Sequence, residues 1–177
     1  MKNSIIHYIE QETGTIYVEL KQIPGVMVVY RRPFERVKNG EKIQLDERGF
    51  TRVPLLEGEE KLKFLNLSNN SITKIENIVS LPNLSFLDMT SNKIKEITSH
   101  PTVKSLKVLI LARNQIEEIK NLDCLPNLEI VDLHENRIKT INLKSVSNAK
   151  VVNLSSNLIE LLEVTCPMPN LVRIHSI

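Results

Sequence analysis

The chain is poor in cysteine, in glycine and in charge of a single sign. Two cysteines in 177 residues, Cys124 and Cys166, cannot supply the disulfide framework of a small secreted domain, so a reducing compartment is expected. Five glycines spell no GxxxxGK, and GxSxG and HExxH are absent too; phosphate-cradling, nucleophile-elbow and zinc-peptidase chemistry have no motif to rest on. The formal charge is only +2, with Lys and Arg interspersed among Asp and Glu, which is not the concentrated basic footprint of a nucleic-acid binder. No apolar run approaches the ~20 residues that span a bilayer. The stretch Ile5 to Ile9 is too short and too polar for a signal-peptide core. With 41% apolar and 25% charged residues, the composition is that of one ordinary folded domain, expected in the cytoplasm and off the membrane.

What the chain has in abundance is a phrase. The pattern LxxLxLxxNxIxxI is written at Leu62, Leu84, Leu106 and Leu128, and again at Ala149, with starts 22, 22, 22 and 21 residues apart. A weaker copy begins at Gly40 (GEKIQLDERGFTRV), and Leu171 opens another that stops at Ile177. Self-similarity at this period predicts a leucine-rich repeat solenoid, in which no unit buries its apolar face alone and stacking makes the core. The expected class is α/β, with a parallel concave sheet and short 3₁₀ turns on the convex side. At ~4.8 Å per coil, cysteines two repeats apart lie ~10 Å from each other, beyond disulfide reach.

Positions one, four and six of each phrase point inward and define a short strand. Position nine, Asn70, Asn92, Asn114, Asn136 and Asn157, is where the chain leaves the strand; a buried amide there can satisfy backbone groups of its own and neighbouring coils. The return half carries Ile or Leu every third residue, as in Ile75, Ile78, Leu81 and Leu84, a period suited to 3₁₀ turns. Pro82 and Pro126 keep those turns from growing into helices. His100 breaks the register beside Pro101 and reads as a convex-side irregularity. After the last intact repeat no polar cap follows, so the expectation is either a fragment of a longer protein or an open end that meets a partner.

Residues 1–38 differ in texture. Ile16, Val18 and Leu20 alternate on one face, Glu12-Thr13-Gly14 and Pro24-Gly25 offer turns, and Val26 to Tyr30 reads as a third strand after Ile5 to Ile9. A three-stranded meander of ~30 residues is marginal alone, and it is expected to dock on the open first coil as a cap to the repeat domain, residues 39–177. The sharper alternative is a separate binding element or a strand-swapped contact, hence a monomer or weak dimer.

Strand positions three, five and seven face the concave side and are free to vary. Position three runs Phe64, Phe86, Val108, Ile130, Val151, an apolar stripe across five strands and about 19 Å long. Position five runs Asn66, Asp88, Ile110, Asp132, Asn153, and position seven includes His134. A stripe of this breadth with two aromatic anchors predicts a protein contact; the competing reading is sheet propensity alone. The candidate partner-binding set is Phe64, Asn66, Phe86, Asp88, Val108, Ile110, Ile130, Asp132, His134 and Val151. Asp132 and His134 share the face while Glu135 alternates away, leaving two ligands, too few for a metal. No catalytic residue and no cofactor is expected.

The short repeats with proline at this place resemble the Sds22-like class of intracellular leucine-rich repeats. Over Gly40 to about Ile141, with Leu55-Leu56-Glu57-Gly58-Glu59 leading into Leu65-Asn66-Leu67, the chain is similar to the leucine-rich-repeat subunit of the tubulin polyglutamylase complex and to related centrosomal and ciliary leucine-rich proteins. That resemblance implies a non-catalytic scaffold whose partners are tubulin-modifying, centrosomal or ciliary proteins, at the cytoskeleton, centrosome or cilium. Within the same class stands regulation of a protein phosphatase, and outside it a ribonucleoprotein component.

Overall fold

A computed structural model of the chain describes residues 4–10, 15–20, 22–97 and 103–175. The expected turn at Glu12 to Gly14, and His100, lie outside the described residues. Seven three-residue strands stack in parallel and in register: β4 (Lys42–Gln44), β6 (Phe64–Asn66), β7 (Phe86–Asp88), β8 (Val108–Ile110), β9 (Ile130–Asp132), β11 (Val151–Asn153) and β13 (Arg173–His175). Each middle residue points into the core. Leu65, Leu87, Val131 and Val152 are fully buried there, and the flanking residues are half-exposed or exposed. Both partial copies join the sheet: β4 pairs with β6, β13 pairs with β11, and Ile174 packs against the core.

The asparagine ladder is built as the period predicts. The Nδ2 of Asn114 donates to the carbonyls of Met89 at 3.0 Å, Leu111 at 3.0 Å and Ala112 at 3.1 Å, while its Oδ1 accepts from the Ile94 N–H at 3.0 Å. Asn92 and Asn136 repeat this pattern, and all three are buried. The first copy has Arg48 where the later ones have asparagine; there the Oδ1 of Asn70 reaches down to the N–H groups of Arg48 and Phe50.

On the convex side, 3₁₀ turns form at Leu122–Cys124 and Leu143–Val146. Pro82 and Pro126 sit at the second position of turns closed by Leu84 N–H to Leu81 O and Leu128 N–H to Leu125 O, where a fixed φ is an asset. A small convex sheet pairs β10 (Thr140–Asn142) with β12 (Leu161–Glu163). The two cysteines are free.

At the N-terminal end β1 (Ser4–Ile9), β2 (Ile16–Leu20) and β3 (Met27–Tyr30) form the antiparallel meander. Its place is more specific than a lid on the open coil: β3 pairs in parallel with β5 (Leu55–Leu56), on the return half of the first coil, and β4 remains the edge of the concave sheet. A short helix, α1 (Pro33–Lys38), then leads into β4. It buries none of its residues, so no apolar stripe announces it; Pro33 in the first turn presets its φ.

A buried polar knot holds these pieces together. Arg31 and Glu59, with side chains 8% and 2% exposed, form a two-pronged ion pair in which Arg31 Nε donates to Glu59 Oε1 at 2.8 Å. The same guanidinium donates to the carbonyls of Asn39 and Lys42, and Arg36 donates to the Glu57 carbonyl at 2.9 Å. Arg36 Nε also lies 3.4 Å from Glu59 Oε1, so meander, helix and first coil meet at one carboxylate. Gly58 holds φ +73°, and a Cβ there would run into the Arg36 guanidinium. Among the described residues no helix is long and apolar enough to cross a membrane.

Candidate functional site

Because the strands are in register, position three forms one straight row: Lys42, Phe64, Phe86, Val108, Ile130, Val151, Arg173. The expected stripe is therefore continuous across five adjacent strands. Phe64 and Phe86 stack nearly face to face, with centroids 4.5 Å apart and planes 13° from parallel; such pairs add about 0.5–1.5 kcal/mol beyond buried area. The Lys42 ammonium lies 4.8 Å from the Phe64 centroid, a cation–π contact that extends the row. Ile130 is 39% exposed although it is a large apolar residue. The cations bracketing the stripe, Lys42 and Arg173, belong to the two partial copies, which is why the five intact phrases did not reveal them.

Position five has a second task that the sequence reading did not anticipate. Asp88 Oδ1 accepts the Thr90 N–H at 2.9 Å and its hydroxyl at 2.6 Å, and Asp132 Oδ1 accepts the His134 N–H at 3.1 Å. Asn66 and Asn153 do the same for Ser68 and Ser155. One oxygen of each side chain thus satisfies the backbone where the strand ends, and the Nδ2 of Asn66 donates to Gln44 Oε1 at 2.9 Å. Ile110 has no oxygen to offer, and Ala112 two residues on is fully buried. Ser68 is 9% exposed, so position seven contributes to the surface through Thr90, His134 and Ser155, each half-buried.

His134 Nδ1 lies 2.7 Å from Asp132 Oδ1, and its Nε2 lies 3.7 Å from a Glu135 carboxylate oxygen. Strand alternation would send Glu135 away from the ring, but Glu135 has φ +52°, and that left-handed backbone swings its side chain back. Arg113 Nε donates to Glu135 at 3.2 Å, which draws the carboxylate along the rim. No group of three or more His, Cys, Asp or Glu able to hold a metal occurs among the described residues.

Ahead of the strands runs a charged edge. Lys63 pairs with Glu41 at 2.6 Å and Lys150 with Glu129 at 2.9 Å. The Glu129 carboxyl is held below its ordinary range, first by the hydrogen bond from Lys150, then by that ammonium's charge, with Lys107 adding to it. The sequence reading also passed over asparagines on the far side. Asn77 and Asn121, both with positive φ, donate to the carbonyls of Val53 and Ile97 one coil below. Their shared register within the phrase was the available signal.

The fold is that of a leucine-rich-repeat solenoid, and the model for "Leucine Rich repeats (2 copies)" matches residues 60–102 and 104–145, just under half of the chain. Among curated proteins it is similar to Leucine-rich repeat-containing protein 49 of Homo sapiens, 32% identical over 98 residues, and of Mus musculus, 36% identical over 75 residues. These matches span 55% and 42% of this chain but only 14% and 11% of the relatives' own length. Among solved structures, the leucine-rich repeat domain of APL1B superposes with a TM-score of 0.64 at 15% identity, covering 83% of this chain and 55% of that one. An internalin (inlF) from Listeria monocytogenes gives 0.52 at 23% identity over 71% of this chain and 38% of its own. Both likenesses concern the fold. Leucine-rich-repeat solenoids of this kind are typically non-catalytic interaction domains.

Proposed function

We propose that this chain is a non-catalytic protein–protein interaction scaffold that binds its partner on the concave face through Phe64, Phe86, Val108, Ile130 and Val151, with Asn66, Asp88, Ile110, Asp132 and His134 beside them. The observation that carries this reading is the stripe itself: five apolar side chains in register, headed by a stacked aromatic pair, with Ile130 39% exposed and the other four half-buried. Buried aromatic anchors of this kind dominate interface energetics. The setting we assign is the cytoplasm, in a microtubule-based, centrosomal or ciliary complex with tubulin-modifying proteins among its partners. Support comes from the run Leu55 to Glu59 leading into Leu65-Asn66-Leu67 and from the similarity to Leucine-rich repeat-containing protein 49.

The test is affinity capture from a ciliated-cell lysate with the chain and with a Phe64→Glu, Phe86→Glu double variant whose folding is verified by thermal melting. Loss of tubulin-modifying or centrosomal proteins from the variant alone is expected. Their retention would move the interface off the concave face, and recovery of phosphatase or RNA-associated proteins instead would refute the setting.

A further inference from the structure

We propose that the occupant of the concave face is an amphipathic α-helix laid across the strands, apolar along its contact line, acidic on the flank over the lysine edge and basic on the flank over Asp88 and Asp132. This rests on the concave-face reading above and adds the chemistry of the partner.

Spacing selects the helix. Neighbouring strands each present one position-three side chain at about 4.8 Å, and the two phenyl rings are 4.5 Å apart. A helix returns a side chain to one line about every 5.4 Å. Over the four steps from Phe64 to Val151 the mismatch accumulates to about 2.4 Å, which side-chain rotamers absorb. An extended chain crossing the strands returns to the same face about every 6.6–6.8 Å, so it drifts by roughly 7 Å or more and misses a strand. A polyproline II ribbon turns in about 9.3 Å and serves only alternate strands, whereas the stacked aromatics stand on adjacent ones.

Charge selects the flanks. Lys63, Lys107 and Lys150 lie just ahead of the strands, and Lys42 and Arg173 end the apolar row, with Glu41 and Glu129 the acidic residues among them. Across the stripe, at the other ends of the strands, stand Asp88, Asp132 and Glu135, the last paired with Arg113 at 3.2 Å. Three lysines against two glutamates make one side of the stripe weakly positive, Lys42 and Arg173 add positive charge at its two ends, and Asp88 and Asp132 make the other side negative. Asp88 and Asp132 stand two strands apart in register, about 9.6 Å, and helix residues seven apart are separated by about 10.5 Å. Lys or Arg at two flank positions seven apart would meet both carboxylates.

Two substitutions isolate the charge without disturbing the fold. Asp88→Asn and Asp132→Asn keep the oxygen that accepts the Thr90 and His134 N–H groups, as Asn66 and Asn153 already do at the same position. The experiment is selection of randomised peptides of about 18 residues, long enough at 1.5 Å per residue to cross the stripe, on the immobilised full chain. Enriched peptides should carry apolar residues at i, i+3 or i+4, and i+7, with a second pair of positions seven apart, on one flank of that line, occupied by Lys or Arg, and should gain helicity on binding. The Asn double variant should bind them about tenfold more weakly, with a flatter salt dependence and unchanged melting. Enrichment of proline-rich or alternating peptides that still require Phe64 and Phe86 would overturn the helix and leave the concave face standing. Helical peptides indifferent to the Asn variants would overturn the charge assignment, and no enrichment over an uncoated surface would overturn the helix as well. Binders that tolerate the folded Phe64→Glu, Phe86→Glu chain would sink the concave-face reading itself.

Discussion

Replacing Asn114 by leucine separates the ladder's energetic roles. Three carbonyls lose a donor, but each keeps another: Met89 O retains Asn92 Nδ2 at 3.1 Å, Leu111 O retains Asn136 Nδ2 at 2.9 Å, and Ala112 O retains the Ser91 N–H at 3.0 Å. The Ile94 N–H is different, because the acceptor it uses is Asn114 Oδ1 at 3.0 Å and Ile94 is wholly buried. Leaving a buried donor unsatisfied costs about 1–3 kcal/mol, and the weakened carbonyl bonds bring the expected loss to the upper half of that range. In a chain of this length that lowers the melting temperature by roughly 4–10 °C. Urea unfolding should show the midpoint shift without a change in slope. Asn157 provides the internal control: it makes the same bonds, including Ile138 N–H to Oδ1 at 3.0 Å, but is only half-buried, so water can replace its side chain and Asn157→Leu should cost less than half as much. Equal costs at the two sites, or a loss at Asn114 within about 0.5 kcal/mol, would refute the ladder as the source of stability.

Breaking the buried knot with Glu59→Gln should destabilise by about 3–5 kcal/mol, because Arg31 then keeps a buried charge without its partner; thermal melting of the double variant Arg31→Met, Glu59→Leu should recover much of the loss. Gly58→Ala places a Cβ in left-handed backbone and against Arg36, and denaturant titration should show a loss of about 1–2 kcal/mol from the backbone alone. Burial, followed by the nearby Asp123 charge, pushes the Cys124 thiol above its ordinary range. Less thiolate is then present at neutral pH, so iodoacetamide should modify Cys124 more slowly than a free thiol. Asp123→Asn should speed the reaction, and an unchanged rate would remove that charge as a cause.

The parts legible in the sequence are those with a period. Leucine and asparagine recur every 22 residues or nearly so, so strands, register, ladder and concave stripe could all be placed by counting. The 3₁₀ turns followed from an interval of three. Features that occur once were hidden. Arg31 and Glu59 are 28 residues apart in segments of different texture, and only the pairing of β3 with β5 brings them together. Helix α1 carries no buried face, so propensity and proline alone decide it. At the candidate site, alternation correctly set which residues face the concave side. It could not show that Asp88 and Asp132 share their oxygens with the backbone, since that depends on how the strand ends. Nor could it show Glu135 returning toward His134, which depends on a left-handed φ that no glycine marks.

That left-handed residue is one of a series. Glu47, Asn69, Ser91, Arg113, Glu135 and Ser156 occupy the same place in six successive coils, with φ between 52° and 56°, a conformation for which glycine or asparagine is the natural choice. Asn69 alone among them is of that kind. The other five retain side chains the backbone would rather lose, so stability was left unclaimed at a position touching neither the core nor the apolar stripe. Converting Glu47, Ser91 or Ser156 to asparagine or glycine would raise the stability of the array in small steps, whereas Arg113 and Glu135 pair with each other and Glu135 reaches His134; the first three are the natural reserve from which the molecule could tolerate destabilising changes elsewhere.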